Sequence, residues 1–451
     1  MLAEGALVQR LNDLVGTHHV VTGPGAGAYA VDGLSSVFKL TFLGAGILTA
    51  IFSGPAIRHW TSGHGEFFAL LASCVFGMTV MAGANDLLMM YLALEFASIT
   101  SYVMAGLLRK NRRSAEASLK YIIYGAGASG MMIYGMSFLY GLTGTLEVGA
   151  VGERLAALGS SVPPTLTLVT SILIMAGFGY KIAAAPFHMW CPDVYEGAPT
   201  PVTAFFSVGP KAAGFAMLIR FLHGVFPGTG GFEWKLVLAL VAVLTMAVGN
   251  LGALQQRNLK RLLAYSSIAH AGDLLVAFAA FTPSAQQHLV FYLVAYVIMN
   301  LGMFLVVLFL EERYGVETVD GCRGLGWKDP QVGILATVFL FSLTGLPPTA
   351  GFVGKLLVFS SVVDHGLATG GRLGIALVIV ALLFSVVSLF YYMRIAAALW
   401  LQKPREGGEE PLPTGSGAVY VSLLWVLAAA TVGLGLWWGP LETFTRLAVL
   451  K

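Results

Sequence analysis

Two lysines lie in apolar stretches of the sequence, and one of them stands beside a predicted helix break. The segment from 181 to 211 reads KIAAAPFHMWCPDVYEGAPTPVTAFFSVGPK, with Lys181 at its start and Lys211 at its end. Pro186 removes a backbone hydrogen-bond donor and predicts a break in the helix that carries Lys181. A charge at the bilayer centre costs about 2.5–3.5 kcal/mol, and non-helical backbone at that depth must be buried in protein or line a water-filled cavity. These features predict a proton or ion path; the alternative for a single lysine is that it snorkels to the interface.

Three further ionisable residues fall in the middle of apolar stretches. Glu95 lies in MMYLALEFASITSY, His270 in YSSIAHAGD and Lys355 in GLPPTAGFVGKLLVF. Four centred, unpaired charges would cost on the order of 10 kcal/mol, which is comparable to the stability of a whole domain. These groups must therefore pair, hydrate or lose their charge, and a buried lysine exchanges its proton when a carboxylate approaches or leaves. The set predicts a proton relay.

Four other polar residues are secondary candidates. Glu116 and Lys120 stand four residues apart on one predicted helix, where they could equally form a surface ion pair. His188 either lines the break after Lys181 or satisfies carbonyl groups that the break frees. Asp273 follows His270 by three residues and is a possible partner for that imidazole.

The composition is that of a helical membrane protein. Hydrophobic residues make up 57% of the chain and charged residues only 11%, whereas soluble proteins carry about 25% charged residues. The three cysteines, Cys74, Cys191 and Cys322, are far apart and lack metal-site or haem spacing. We predict an all-α polytopic protein with a single membrane domain over residues 1–451.

Apolar runs of about 20 residues predict twelve spanning helices. The predicted spans are 33–54, 66–84, 86–108, 114–142, 165–195, 200–226, 235–254, 258–281, 285–310, 331–363, 373–401 and 418–438. The fifth and tenth are interrupted, at Pro186 and at 345–348. Interrupted spans at corresponding positions predict two inverted five-helix repeats, 66–226 and 235–401, followed by a C-terminal helix. Tryptophans 60, 190, 400 and 437 are predicted to be interface anchors.

Basic residues are unevenly divided between the predicted loops. One set of alternate loops holds most of them, namely Arg58, Arg109, Lys110, Arg112, Arg113, Arg257, Lys260, Arg261, Arg313, Arg323, Lys328, Lys403 and Arg405. Cytoplasmic loops of membrane proteins are enriched in lysine and arginine. The sequence therefore predicts that this side is cytoplasmic and that both termini lie on the outer, periplasmic side.

Four stretches give the chain a resemblance to a known family. They read YLALEFASITSYVMAGLLRKNRRSAEASLKY, YKIAAAPFHMWCPDVYEGAPTPVTAF, GNLGALQQRNLKRLLAYSSIAHAG and SLTGLPPTAGFVGK. The chain resembles the antiporter-like membrane subunits of respiratory complex I, the NADH:quinone oxidoreductase. That resemblance implies inverted five-helix bundles with broken helices, in a multi-pass, proton-translocating subunit of the cell inner membrane. By motif it implies proton-transfer roles for Glu95, Lys181, Lys211, His270 and Lys355, and polar family positions at Glu116 and Lys120.

The redox chemistry of such a complex is predicted to lie outside this chain. The sequence has no dinucleotide-binding fingerprint, no iron–sulfur cysteine spacing and no haem motif, so we predict neither a cofactor nor a metal here. The resemblance implies NAD, FMN, iron–sulfur clusters and quinone in partner subunits. The implied partners are the other membrane and peripheral subunits of complex I and the lipid bilayer, without nucleic acid.

Two positions depart from the pattern of that family. Its bacterial members begin with two further helices before the motif that is here Val31–Asp32–Gly33, and too little chain precedes the motif to hold them. Either the start of the sequence is misassigned or the protein is short. We expect the difference to affect the contact surface that those helices would form and to leave the repeats intact. Where the family has an aromatic residue, this chain has Asp273, so the family's protonation pattern around His270 is not expected to carry over unchanged. A long C-terminal lateral helix, typical of the L-type branch, is missing, which favours the N-type branch.

Two other functions remain open from the intramembrane residues alone. One is an Mrp-type cation/proton antiporter subunit, and the other is a ferredoxin- or hydrogenase-linked relative of complex I. A structural scaffold with a degenerate path is disfavoured, because such a chain would lack the acid or a lysine and here every position is filled.

Overall fold

Twelve helices long and apolar enough to cross a membrane run through the residues that the computed structural model describes. These residues are 19–20, 26–58, 60, 63–226, 234–403 and 417–450. The predicted fold class, an all-α polytopic membrane protein with about twelve spans, is confirmed. The arrangement of the spans as two inverted repeats stays a prediction.

The described helices comprise long spans and a smaller number of short pieces between them. In chain order they are α1 (Gly33–Ile57), α2 (His64–Gly83), α3 (Leu87–Ala105), α4 (Arg112–Thr143), α5 (Val148–Leu158), α6 (Pro164–Ile182), α7 (Trp190–Gly197), α8 (Thr200–Val225), α9 (Trp234–Gln255), α10 (Leu259–Leu275), α11 (Pro283–Tyr314), α12 (Leu325–Lys328), α13 (Pro330–Thr344), α14 (Ala350–Thr369), α15 (Arg372–Trp400), α16 (Gly417–Leu436) and α17 (Gly439–Arg446). Two short strands, β1 (His19–Val20) and β2 (Ala30–Val31), pair antiparallel before the first span.

Polar residues begin the spans where capping chemistry predicts. Asp86 accepts hydrogen bonds from the backbone amides of Leu88 (2.8 Å) and Met89 (3.1 Å) at the start of α3. Asn111 begins α4 and Asn258 begins α10 in the same way. Such caps satisfy amide groups that have no partner inside the helix. They fix the residues at which these spans begin.

Both predicted helix breaks are confirmed. Helix α6 ends at Ile182, where Ala183 has a left-handed backbone (φ 58°), and α7 begins at Trp190. Helix α13 ends at Thr344, with Gly345 at φ 91°, and α14 begins at Ala350. At the first break the amide of Ala185 donates to Thr245 Oγ1 at 3.0 Å, and at the second the amide of Leu346 donates to the carbonyl of Phe341 at 3.0 Å. Residues 183–185 of the first break are buried, as non-helical backbone at membrane depth requires, whereas Pro347 and Pro348 of the second break are exposed on this chain.

Two details of the sequence interpretation are wrong. Residues between the fourth and fifth spans, predicted as a loop, contain the helix α5, whose 11 residues are too few to register as a span. Trp190, predicted as an interface anchor, is 3% exposed and stacks on Tyr121 with ring centroids 4.4 Å apart. The break that precedes Trp190 folds this ring into the interior.

Contacts between loops define two ends of the molecule. At one end, Arg113 forms an ion pair with Glu317 (3.3 Å) beside the bridge between Asn258 and Thr318. The basic loops 109–113 and 257–261 thus share one end. Which end faces the cytoplasm stays a prediction.

At the opposite end, an arginine ties three elements together. Arg220, near the end of α8 and 5% exposed, pairs with Asp32 (Nη1–Oδ2 2.8 Å) and donates to the carbonyl of Ala82 at 3.0 Å. Burial alone would raise the pKa of the Asp32 carboxyl, but the hydrogen bonds and charge of Arg220 outweigh it and hold that pKa below its ordinary value.

The helices that carry the central ionisable residues are enclosed by protein. An apolar stretch of 18 residues in α8 is 100% buried, and the corresponding stretches of the span Leu259–Ala279, which contains α10, and of α11 are each 89% buried, against 22% for α15. A side chain on α8 therefore contacts other helices on every side. This burial excludes the alternative that Lys211 snorkels to the lipid interface.

Candidate functional site

Lys181 lies in the last turn of α6 and reaches helix α3. Its side chain is 2% exposed, and Nζ donates a hydrogen bond to Ser98 Oγ at 3.0 Å. Glu95 precedes Ser98 by one helical turn on the same face of α3. No ion pair within 4.0 Å joins Glu95 to Lys181 in the part of the chain that the structure describes, and Glu95 Oε1 is buried without a hydrogen-bond partner there. The side chain of Lys181 thus reaches the face of α3 that carries Glu95, and its direct contact there is Ser98.

Lys211 sits midway along α8, close to the stem of Lys181. A Cβ atom added at Gly214, one turn after Lys211, would lie only 3.2 Å from Lys181 Cγ, so the glycine makes room for the first lysine. Lys211 is 2% exposed, and its ammonium donates to the backbone oxygen and to the hydroxyl of Ser267 on α10. The ammonium also lies 5.7 Å from the ring centroid of Tyr296. Lys211 therefore joins the two halves of the chain.

His270 follows Ser267 by one turn of α10 and is held by two phenols. Nδ1 lies 2.6 Å from Tyr292 Oη, and Nε2 lies 3.1 Å from Tyr392 Oη. The hydroxyl of Tyr392 also contacts the hydroxyl of Ser266. Because these phenols are fully buried, each needs a polar partner, and the imidazole supplies it. The tyrosines were missed by the sequence interpretation; a phenol in an otherwise apolar span was the available signal.

Lys355 and Asp273 form a buried ion pair beside His270. Lys355 Nζ lies 3.1 Å from Asp273 Oδ2 and 3.1 Å from Ser385 Oγ. The same Asp273 oxygen lies 3.9 Å from His270 Nδ1. The predicted association of Asp273 with His270 is thus present, but its closer partner is Lys355.

The secondary candidates Glu116 and Lys120 belong to a charged network at the end of the molecule that holds Arg113. Lys120 Nζ lies 2.8 Å from Glu116 Oε1 and 2.6 Å from Asp193 Oδ2. Arg261 completes the network through Asp193 (2.5 Å) and Glu196 (3.0 Å). These side chains line a polar surface pocket of about 220 Å³. The predicted surface pair is therefore one edge of a larger network.

His188 lies in the turn between α6 and α7 and stays apart from the other candidates. It is 7% exposed, its carbonyl accepts from the amide of Cys191 at 2.9 Å, and its Nδ1 has no hydrogen-bond partner among the described residues. In the same part of the chain, no group of three or more histidine, cysteine or acidic side chains could hold a metal ion.

Together these contacts order the candidates along one buried line. Starting from Glu95, the line passes through Ser98, Lys181, Gly214, Lys211, Ser267, His270, Asp273 and Lys355. Every residue after Glu95 is less than 9% exposed or a buried glycine. The arrangement provides successive proton-binding groups shielded from lipid.

Comparison with known proteins places the chain in a family. The family described as NADH:quinone oxidoreductase/Mrp antiporter, TM matches residues 84–385. NADH-quinone oxidoreductase subunit N of Anaeromyxobacter sp. (strain Fw109-5) is 45% identical over 437 residues, covering 93% of this chain and 84% of the relative. Subunit N of Chlorobium chlorochromatii (strain CaD3) is 43% identical over 429 residues, covering 93% of this chain and 82% of the relative.

Two solved structures have the same fold. A chain of respiratory complex I from Thermus thermophilus with bound aureothin matches with a TM-score of 0.77 and 34% identity, covering 98% of this chain and 91% of that one. A chain of the Mrp complex from Dietzia sp. DQ12-45-1b matches with a TM-score of 0.83 and 24% identity, covering 99% and 89%. The second likeness concerns the fold alone. The chain belongs to the NADH:quinone oxidoreductase/Mrp antiporter family of membrane proteins, and the relatives with which it shares 43–45% identity are N subunits of NADH-quinone oxidoreductase.

Proposed function

We propose that this chain is a proton-translocating membrane subunit of a redox-driven NADH:quinone oxidoreductase. The observation that carries the proposal is the buried succession of proton-binding groups from Lys181 to Lys355, together with the identity to N subunits. Paired or hydrogen-bonded ionisable groups inside a membrane bundle are typical of proton relays. The chain itself carries out no redox step in this proposal. NAD, FMN, iron–sulfur clusters and quinone belong to partner subunits, which drive the cycle mechanically or electrostatically.

In the proposed cycle, a proton arrives towards Lys181, passes to Lys211 and His270, and leaves from Lys355. Redox events in the partners move Glu95 relative to Lys181 and so change the proton affinity of that lysine. The contact through Ser98 suits this role, because a small movement of α3 exchanges the hydroxyl for the carboxylate one turn away. Secondary roles for Glu116 and Lys120 are proposed at the polar end of the first half, where the charged network meets solvent. A secondary role for His188 is proposed separately, at the first helix break.

The two half-channels of the path would belong to the two proposed repeats, 66–226 and 235–401. Their support is the position of the breaks, five spans apart, with Lys181 before one and Lys355 after the other. Inverted repeats give half-channels that open to opposite sides of the membrane. Lys211 and His270 would then link the halves.

An Mrp-type cation/proton antiporter subunit is the second candidate. The fold favours neither function, because the Mrp chain matches with a TM-score of 0.83 and the complex I chain with 0.77. Identity favours complex I, with 34% against 24%. The test is purification in mild detergent from the native membrane. Recovery of NADH- and quinone-binding subunits with this chain supports the first function, whereas recovery of antiporter subunits alone supports the second.

Replacement of Glu95 by alanine tests the acid of the first half. We expect the complex to assemble and proton pumping per electron to fall about tenfold or more, since a positioned proton-transfer group commonly contributes about 10²–10⁴-fold. The measurement is proton uptake per electron in reconstituted vesicles. Glu153→Ala, at an exposed acid on α5, is the control. Normal pumping by Glu95→Ala would remove Glu95 from the path.

Orientation can be tested with cysteines at the two ends. We propose that the Arg109–Arg113 loop is cytoplasmic, so Lys110→Cys should resist an impermeant thiol reagent added to intact cells. Glu153→Cys, exposed on α5 at the other end, should react. The native Cys74, Cys191 and Cys322 are buried and give little background. Labelling of Lys110→Cys but not of Glu153→Cys from outside the cell would show that the orientation is the reverse of the proposed one.

A further inference from the structure

Asp273 is a buried carboxylate that faces two basic groups with one oxygen. Its Oδ2 lies 3.1 Å from Lys355 Nζ and 3.9 Å from His270 Nδ1. The side chains of Asp273, Lys355 and His270 are 6%, 9% and 3% exposed, so water screens these interactions little. A change of charge on either base therefore strongly changes its interaction with the carboxylate, and a change of charge on the carboxylate would affect both bases.

The other polar groups that contact His270 or line the cavity shared by His270, Asp273 and Lys355 are neutral. They come from α9, α11 and α15 and comprise Asn250, Tyr292, Tyr296, Ser385, Ser388, Tyr391 and Tyr392. The next charge along the line is Lys211, which is held by Ser267. Among the described residues, the single negative charge of Asp273 thus faces two bases, and it can neutralise the positive charge of only one of them at a time.

We propose that Asp273 is an exchangeable counter-ion that pairs in turn with Lys355 and with His270, and so positions the last proton transfer of the path. This inference rests on the proposed proton-translocating function. In the structure, Asp273 is paired with Lys355, which corresponds to a protonated lysine beside a neutral imidazole. Asp273 stays ionised throughout, so it acts as a positioning residue and carries no proton itself.

The proposed exchange conserves charge over one cycle. A proton from the Lys211 side reaches His270 Nε2, which faces Tyr392, and converts the imidazole to imidazolium. The cluster of three groups then has one excess positive charge. Lys355 loses one proton to the outlet, and the carboxylate pairs with the imidazolium. Transfer of the imidazolium proton to the neutral amine of Lys355 restores the starting state, with one proton taken in and one released.

The arrangement explains why the carboxylate stands on the same helix as the imidazole. His270 and Asp273 are three residues apart on α10, so their side chains share one face, while Lys355 approaches from α14 directly after the second break. A short movement of α14 at the break would lengthen the contact with Lys355 and leave the contact with His270 unchanged. The exchange thus needs no movement of the enclosed helix α10.

The test uses Asp273→Asn in the intact complex reconstituted in vesicles. Asparagine keeps the shape but offers no counter-charge, so protonated Lys355 and protonated His270 are both less stable. We expect protons pumped per electron at neutral pH to fall about tenfold, and the pumping profile to move to lower pH by about one unit or more. Asp273→Glu should restore most of the yield and the native pH profile. Asp364→Asn, at an exposed acid on the same helix as Lys355, should match the native complex.

Lys355→Met separates this inference from the proposed function. If Asp273→Asn pumps with native yield and pH profile while Lys355→Met does not pump, the counter-ion role is overturned and the path stands. If Lys355→Met also pumps normally, the path itself fails. If Asp273→Asn or Lys355→Met assembles poorly, the double variant Asp273→Asn/Lys355→Met tests the pairing. Removing one partner leaves a buried charge unpaired, whereas removing both does not, so the double variant should assemble better. A double variant that assembles no better than Lys355→Met would overturn the pairing.

Discussion

Lys211→Met is expected to abolish proton translocation while the complex still assembles. Lys211 is the group that joins α8 to α10 and so connects the first half of the proposed path to the second. Methionine fills a similar volume without a proton-binding site, and it strands no charge because the partners of Lys211 are a neutral hydroxyl and a carbonyl. We expect pumping per electron to fall about 100-fold or more, on the scale of positioned proton-transfer groups.

Lys211→Arg distinguishes proton exchange from a structural charge. A guanidinium keeps the positive charge and the donors to Ser267, but it does not release its proton in proteins. A structural lysine would be rescued by arginine, whereas a relay lysine would not. We therefore expect both variants to lose pumping, measured as proton uptake in vesicles during NADH oxidation. Lys328→Met, at an exposed lysine, is the matched control. Pumping restored by Lys211→Arg would contradict the relay.

Gly351→Ala is expected to prevent assembly of the subunit. Gly351 is the second residue of α14, and a Cβ there would lie 1.8 Å from the backbone oxygen of Ser342 on α13. Its amide also donates to Ser342 Oγ at 3.1 Å, so the two halves of the broken helix are joined at this point. Because the overlap is with backbone, no rotamer relieves it. We expect the free energy of folding of the subunit to become less favourable by more than about 3 kcal/mol, which exceeds the usual cost of overpacking.

The measurement for Gly351→Ala is the amount of this subunit that remains with the complex after extraction in mild detergent. Gly127→Ala is the control, because a Cβ at Gly127 meets nothing within 4 Å and the position is exposed on α4. Equal assembly of the two variants would show that α13 and α14 can separate at little cost.

The spans and their breaks could be predicted from sequence because both depend on local properties. Apolar length determines a span, and a proline or a Gly–Leu–Pro–Pro run ends a helix without help from the rest of the chain. The ionisable residues were predictable for the same reason, since a charge inside an apolar run is unusual wherever the run packs. Helix α5 was missed because an 11-residue helix has no length signal of its own.

Pairing between distant residues could not be predicted in the same way. Asp273 lies nearest to His270 in sequence, yet its shortest contact is with Lys355, 82 residues further along, because the second break turns α14 towards α10. The phenol of Tyr392 reaches His270 across 122 residues. Trp190 illustrates the opposite error, since its burial follows from the first break and not from its own chemistry. Helix packing decides such contacts.

The polar pocket beside Asp193 has an electrical consequence. It opens to the surface and is lined by Arg261, which lies six residues, or about 9 Å along α10, from the Ser267 that holds Lys211. Solvent in such a pocket is at the potential of the adjoining aqueous phase, so little of the transmembrane voltage falls across it. Most of the voltage would instead fall across the buried part of the path between Lys211 and the outlet. At about 2.3 kcal/mol per charge per 100 mV, most of the work against the membrane potential would then be done between Lys211 and the outlet.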